Sequence, residues 1–317
     1  MSSSATTSST SVAKPRVATP PVPRTGAYFG AWRGPGPGRP TDLRQNMNAA
    51  ERAIGRNYAI VHHYYDWGAA IPGSEDRWTA THGQIPMVSL CACHFNDGSV
   101  VPWSTIATGK EDLYLISIAQ GFKSLARPAF FVFEAEPEAQ VGVRGTATEY
   151  VAAWRHVVDV FRAQGTKNVA FVWATTAYSF RPEAHQTALA ESLYPGDDVV
   201  DWIASDPYNF YTDGAWRSLN YELGPWYQWA TATHPGKPLA LTEWGSKEDP
   251  NDPNRKATWF HDALNELKKD RAIKAVVYFD EQKFEHGVVN DWRIDTSPAS
   301  LGAFGSIARD AWFSARA

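Results

Sequence analysis

Ala129-Phe130-Phe131-Val132-Phe133-Glu134-Ala135-Glu136-Pro137-Glu138: five apolar residues run unbroken into three glutamates set at alternate positions. An uninterrupted apolar run of this length suits a strand buried on both faces, as in a parallel sheet covered by helices. A second run, Leu239-Ala240-Leu241-Thr242, ends in the same way, at Glu243. Six more complete the set: Ala27-Tyr28-Phe29, Ala59-Ile60-Val61, Pro86-Met87-Val88-Ser89-Leu90, Val169-Ala170-Phe171-Val172-Trp173, Val199-Val200-Asp201-Trp202-Ile203 and Ala275-Val276-Val277-Tyr278-Phe279. Helical stripes alternate with these runs. Tyr150, Trp154, Val157 and Phe161 recur at helical spacing, with Gly165 as a natural C-cap. Leu113-Ile116-Ala119-Phe122 and Phe260-Ala263-Leu264-Leu267 each precede a strand, and Ile307, Ala311 and Trp312 are assigned to the last helix. No GxGxxG or Walker loop follows the first strand, which disfavours a doubly wound open sheet. The expected fold is α/β, a single (β/α)8 TIM barrel over residues 25–317.

Residues 1–24 are almost wholly Ser, Thr, Ala, Pro and Val, a composition that cannot bury a core and reads as a disordered linker. Such tails tether secreted enzymes, so an extracellular location is expected although no signal-peptide core is visible. The net charge of −4 offers no basic field, which argues against nucleic acid or an anionic membrane as partner. No apolar run approaches the ~20 residues of a membrane span. A monomer acting on a neutral substrate is the expectation.

Cys91 and Cys93 stand one residue apart. A bridge across a single residue is expected to be strained, so both are read as thiols at the mouth of a strand. His94 would extend them toward a metal site, but no second CxxC and no HExxH supplies the remaining ligands. No metal and no cofactor is expected.

Active sites of such barrels lie at the C-terminal ends of the strands, where the fourth and seventh runs carry carboxylates. A charged group that finishes a buried strand is costly unless exposed, paired or used. Two carboxyl groups about 5–5.5 Å apart are what a retaining glycosidase needs, one to attack the anomeric carbon and one to protonate the leaving oxygen. Strands four and seven face each other across an eight-stranded barrel, so Glu136 and Glu243 are the catalytic candidates. The competing reading makes them rim salt bridges.

Several pieces resemble glycoside hydrolase family 26, barrel enzymes best known as β-1,4-mannanases. They are Phe131 to Glu138, Tyr194-Pro195-Gly196-Asp197 with Val200-Asp201-Trp202-Ile203, Asp206-Pro207-Tyr208, Lys237 to Gly245, and Asp291-Trp292-Arg293. By that resemblance Glu136 corresponds to the acid/base, Glu243 to the nucleophile and Tyr208 to a tyrosine beside the nucleophile. The family usually has His where this chain has Ala135, which puts mannan specificity in question and leaves Glu134 or Glu138 as alternatives to Glu136. The implied activity is retaining, endo-acting hydrolysis of a β-linked polysaccharide, β-1,4-mannan first, with β-1,3-xylan or mixed-linkage β-glucan open. The alternative is a sugar-binding barrel without catalysis.

Aromatic residues near strand ends are candidate walls for sugar rings, with core packing as the competing reading. They are Trp32, Tyr64, Tyr65, Trp67, Trp173 and Trp292, of which Trp173 and Trp292 are the preferred pair. His62, His63, His94, Asp206, Asp280 and Asp291 are further polar candidates, Asp206 as a rim carboxylate that orients Tyr208 or contacts substrate.

Overall fold

A computed structural model describes residues 18–211, 214–285 and 287–316. Most of the expected linker, residues 1–17, lies outside the described residues. Eight parallel strands form the sheet: β1 (Tyr28–Arg33), β2 (Ile60–Tyr65), β3 (Ile85–Leu90), β4 (Ala129–Phe133), β5 (Val169–Thr176), β6 (Trp202–Asp206), β7 (Leu239–Leu241) and β8 (Ile273–Asp280). Each pairs with its sequence neighbours, and β1 pairs with β8, so the sheet is a closed barrel. Helices α1 (Leu43–Ile54), α2 (Ser74–Thr81), α3 (Trp103–Ala107), α4 (Asp112–Leu125), α5 (Ala147–Ala163), α6 (Thr187–Ser192), α7 (Leu219–Thr233), α8 (Arg255–Lys269) and α9 (Pro298–Ala308) alternate with the strands.

Side-chain alternation divides the core in two. Phe130 and Val132 of β4 join Ala170, Val172 and Ala174 of β5 inside the barrel, whereas Phe131, Phe133, Phe171 and Trp173 face the helices. Both faces are therefore apolar, as the unbroken runs required. The stripe of α5 is buried throughout, and the helix opens with a capping box between Thr146 and Glu149. Beyond its end Gly165 adopts a left-handed φ of 69° while its amide bonds Arg162 O and the Thr166 amide bonds Phe161 O.

Boundaries shift where polar residues belong to the sheet. β1 runs on to Arg33 because Arg33 is buried in ion pairs with Asp280 and Asp295, so Trp32 lies within the strand. β6 begins at Trp202 and takes in Ser205 and Asp206, both buried, while Val199 and Val200 close a turn on Gly196. On α4 the buried residues are Leu115, Ile118, Ala119 and Phe122, and Leu113 is exposed. Ala311 and Trp312 belong to a separate 3-10 turn after α9, not to the helix.

Candidate active site

The acid-bearing corner is built by two left-handed residues. Glu134 has φ 53° and Glu136 has φ 51°, so the alternation of β4 stops at its end and three nearby glutamates take three directions. Glu134 turns inward under the β3–α3 loop. It is ion-paired with Arg144, and its Oε2 accepts from the Ala92 amide at 3.0 Å and the Trp103 indole at 3.4 Å. Pro137 opens a 3-10 turn that carries Glu138 to the Thr176 amide at 3.1 Å. Burial pushes the Glu138 carboxyl up to about 7. Glu136, anchored by its amide on Ala174 O at 3.0 Å, lines the cleft.

Across the barrel Glu243 follows β7. Its Oε1 accepts the Tyr64 hydroxyl at 2.8 Å and its Oε2 the Tyr208 hydroxyl at 2.6 Å. Burial, then the charge of Glu243, raises both phenols well above their ordinary range, which keeps them neutral donors. Asp206 fixes the backbone from below: its Oδ1 accepts from the Glu243 amide at 2.8 Å and from Thr242 Oγ1 at 2.6 Å. Burial, followed by Glu243 and Glu136, holds the Asp206 carboxyl well above the usual carboxylate range. His62 lies against this group, with Nε2 on Ser89 Oγ at 2.7 Å and Nδ1 within 3.2 Å of both Thr242 O and the Tyr64 hydroxyl. Burial lowers its pKa to about 3, so it is a neutral imidazole.

Glu136 and Glu243 line one cavity of about 860 Å³, together with Trp32, Tyr65, Asp206, Tyr208 and Trp292. Trp292 packs on Tyr208 with ring centroids 4.9 Å apart, and the Tyr65 hydroxyl is turned away to Asp76 at 2.7 Å. Trp173 is not brought to this cavity. β5 continues three residues beyond it, so it sits mid-strand on the helix-facing side, fully buried against Tyr194 and Trp229. Trp67 is buried too, its indole on Glu111. Asp280 is held by Arg33 and Arg39, and Asp291 by Arg293. Cys91 and Cys93 are not thiols: they form a disulfide, with Cys91 at the cleft wall. A two-residue separation still allows their Cα atoms to stand 5.1 Å apart, within the ordinary span of a bridge.

Reading the sequence missed Glu281, Phe95, Tyr178 and Phe210, which also line the cavity. Glu281 accepts the Trp32 indole N–H at 2.6 Å and folds over Gly34, where any Cβ would stand 2.4 Å from its carboxyl carbon. The only signal for Glu281 was its position just past the eighth apolar run. The others lie in loops whose course no periodicity fixes.

No protein-family model matches the chain. It is 27% identical over 305 residues to endoglucanase H of Acetivibrio thermocellus, an alignment covering 88% of this chain and 30% of that protein. The chain thus spans less than a third of that relative's length. Among solved structures, the catalytic domain of a GH26 endo-β-1,4-mannanase from Bacillus sp. JAMB-750 superposes with a TM-score of 0.65 at 18% identity, covering 90% of this chain and 86% of that one. A GH26 β-mannanase from Bacteroides ovatus gives 0.63 at 17% identity, over 92% and 90%. The barrel is the fold of these two solved structures, and the likeness of fold covers nine-tenths of the chain.

Proposed function

We propose that the protein is a retaining, endo-acting glycoside hydrolase of a β-linked polysaccharide, with Glu243 as nucleophile and Glu136 as acid/base. The observation that carries this reading is the setting of Glu243: one phenol donor on each carboxylate oxygen, a buried carboxyl under its amide, and Glu136 in the same cleft. Such a carboxylate is held in place through both oxygens on the wall of the cleft it shares with Glu136. In the first step Glu243 attacks the anomeric carbon as Glu136 protonates the departing oxygen. In the second, Glu136 takes a proton from water, which displaces Glu243 and restores the original anomer. Asp206 and Tyr208 act on Glu243, whereas Trp32, Tyr65 and Trp292 supply apolar wall to the sugar.

β-1,4-Mannan is the first substrate class, in line with the solved structures that share the fold. Ala135, which can neither bind a hydroxyl nor orient Glu136, and the similarity to an endoglucanase favour mixed-linkage β-glucan as the second. Residues 1–24 serve in this reading as a tether for an extracellular enzyme.

The test uses both substrates and both glutamates. NMR of the first product formed should show the starting anomer. On an aryl glycoside with a good leaving group, Glu136→Ala should still form the glycosyl-enzyme but hydrolyse it slowly, and added azide should release a β-glycosyl azide. Glu243→Ala should lose the first step on every substrate, by a factor of order 10⁴ or more; any azide product should be the α-anomer. An inverted first product, or native rates in Glu136→Ala on polysaccharide, would overturn the assignment.

A further inference from the structure

Phe95 is 61% exposed, the most exposed aromatic ring on the cleft wall, yet the loop that carries it is tied down at almost every turn. Its own amide donates to Asp66 Oδ2 at 3.2 Å, the Trp67 amide to Cys93 O at 2.8 Å, and the Val101 amide to Ala92 O at 2.9 Å. At the tip, the His94 amide bonds Ser99 O at 2.8 Å and the Gly98 amide bonds His94 O at 2.9 Å. At the root, the Cys91–Cys93 bridge closes the three residues whose central amide holds Glu134. A single exposed apolar side chain is ordinary on a protein surface. A rigidly mounted one, on the wall of the cavity that holds both Glu136 and Glu243, is not explained by packing.

The geometry points to a sugar subsite distal to the reacting ring, in which Phe95 offers a flat face to the C–H side of a neutral sugar of the glycan chain and the Cys91–Cys93 bridge fixes that face in advance. This rests on the glycosidase reading for its ligand class but not for its test. A platform already ordered before binding costs little conformational entropy when the sugar arrives, so the bridge acts on affinity. Tyr178 and Phe210, 45% and 40% exposed on the same cavity, extend the apolar lining along the cleft.

Affinity is measured by calorimetry with mannohexaose and with a mixed-linkage β-glucan hexasaccharide, in the Glu243→Ala background so that nothing is cleaved. Phe95→Ala should weaken binding of the hexasaccharide by about tenfold, and Phe95→Trp should restore it. The corresponding disaccharides should bind equally to both forms. The Cys91→Ser/Cys93→Ser double variant should weaken hexasaccharide binding in the same direction and add little once Phe95 is Ala. In active enzyme Phe95→Ala should raise KM on polysaccharide at constant kcat and leave hydrolysis of a small aryl glycoside untouched. Unchanged hexasaccharide affinity in Phe95→Ala, or an equal loss on the disaccharide, overturns the subsite. Native affinity in the double variant overturns the part given to the bridge. Should the parent background bind the hexasaccharides while wild type cleaves no substrate, the hydrolytic reading falls and the subsite stands; should it bind neither, the subsite falls with its ligand.

Discussion

Tyr64 and Tyr208 divide one carboxylate between them, and each is removable on its own. Tyr64→Phe or Tyr208→Phe leaves the ring and takes one charge-assisted hydrogen bond from Glu243, worth about 1.5–3 kcal/mol. A fall of roughly tenfold to a hundredfold in kcat/KM is expected for each, read on an aryl glycoside so that only the first step is followed. Tyr208 was visible in the sequence through the resemblance. Tyr64 was visible only as one of several aromatics, although its parity with His62 on β2 puts both on the barrel-axis side, and their partners Ser89, Thr242 and Glu243 lie there. His63 and Tyr65 alternate outward to Asp76. Glu138 gives a different test. With its carboxyl raised by burial to about 7, the folded protein holds this proton more tightly than the unfolded chain, whose carboxyl titrates near 4.5. The resulting stabilisation is complete below the unfolded value and is lost as pH rises through about 7. Glu138→Gln cannot ionise, so it should gain up to about 3 kcal/mol on wild type as pH rises across that window, measured by urea unfolding at each pH.

Strand and helix order were legible from period and apolar runs alone, because strands buried on both faces read as near-continuous apolar runs. Their ends were not, since the polar residues that finish β1 and β6 are neutralised by partners far along the chain: Arg33 by Asp280, and Asp206 by Thr242 and the Glu243 amide. The corner after β4 is the sharpest case. Three glutamates at alternate positions would share a face on an extended strand, and only the left-handed turns at 134 and 136 separate them. Glu134 is then a strut that ties the end of β4 to Arg144, Ala92 and Trp103. Glu134→Ala strands the largely buried Arg144 guanidinium and frees the Ala92 amide, and it should cost about 3–5 kcal/mol of stability. Urea unfolding measures this, and thermal melting should show the same loss. Loss of activity in that variant should therefore track loss of folded protein, unlike the loss in Glu136→Ala.

The barrel as a whole is closed from below by residues 308–313. The Ala27 amide bonds Trp312 O at 3.0 Å, Arg56 reaches the carbonyls of Ala308 and Phe313, and the buried ring of Phe313 packs on Phe29 at 4.6 Å. Phe313→Ala should cost about 3–5 kcal/mol in urea unfolding and leave KM unchanged, because the lost contacts lie at the end of the barrel opposite the cleft. The catalytic end behaves in the opposite sense. Two non-glycine residues in left-handed backbone cost of order 1 kcal/mol each, and natural proteins sit only a little above the stability they need. At 134 the ion pair with Arg144 outweighs that strain, so selection for heat tolerance alone should enrich Gly or Asn at position 136, at the expense of turnover. In a directed-evolution campaign the corner that aims Glu136 is where a hardier population and an idle one would be the same population.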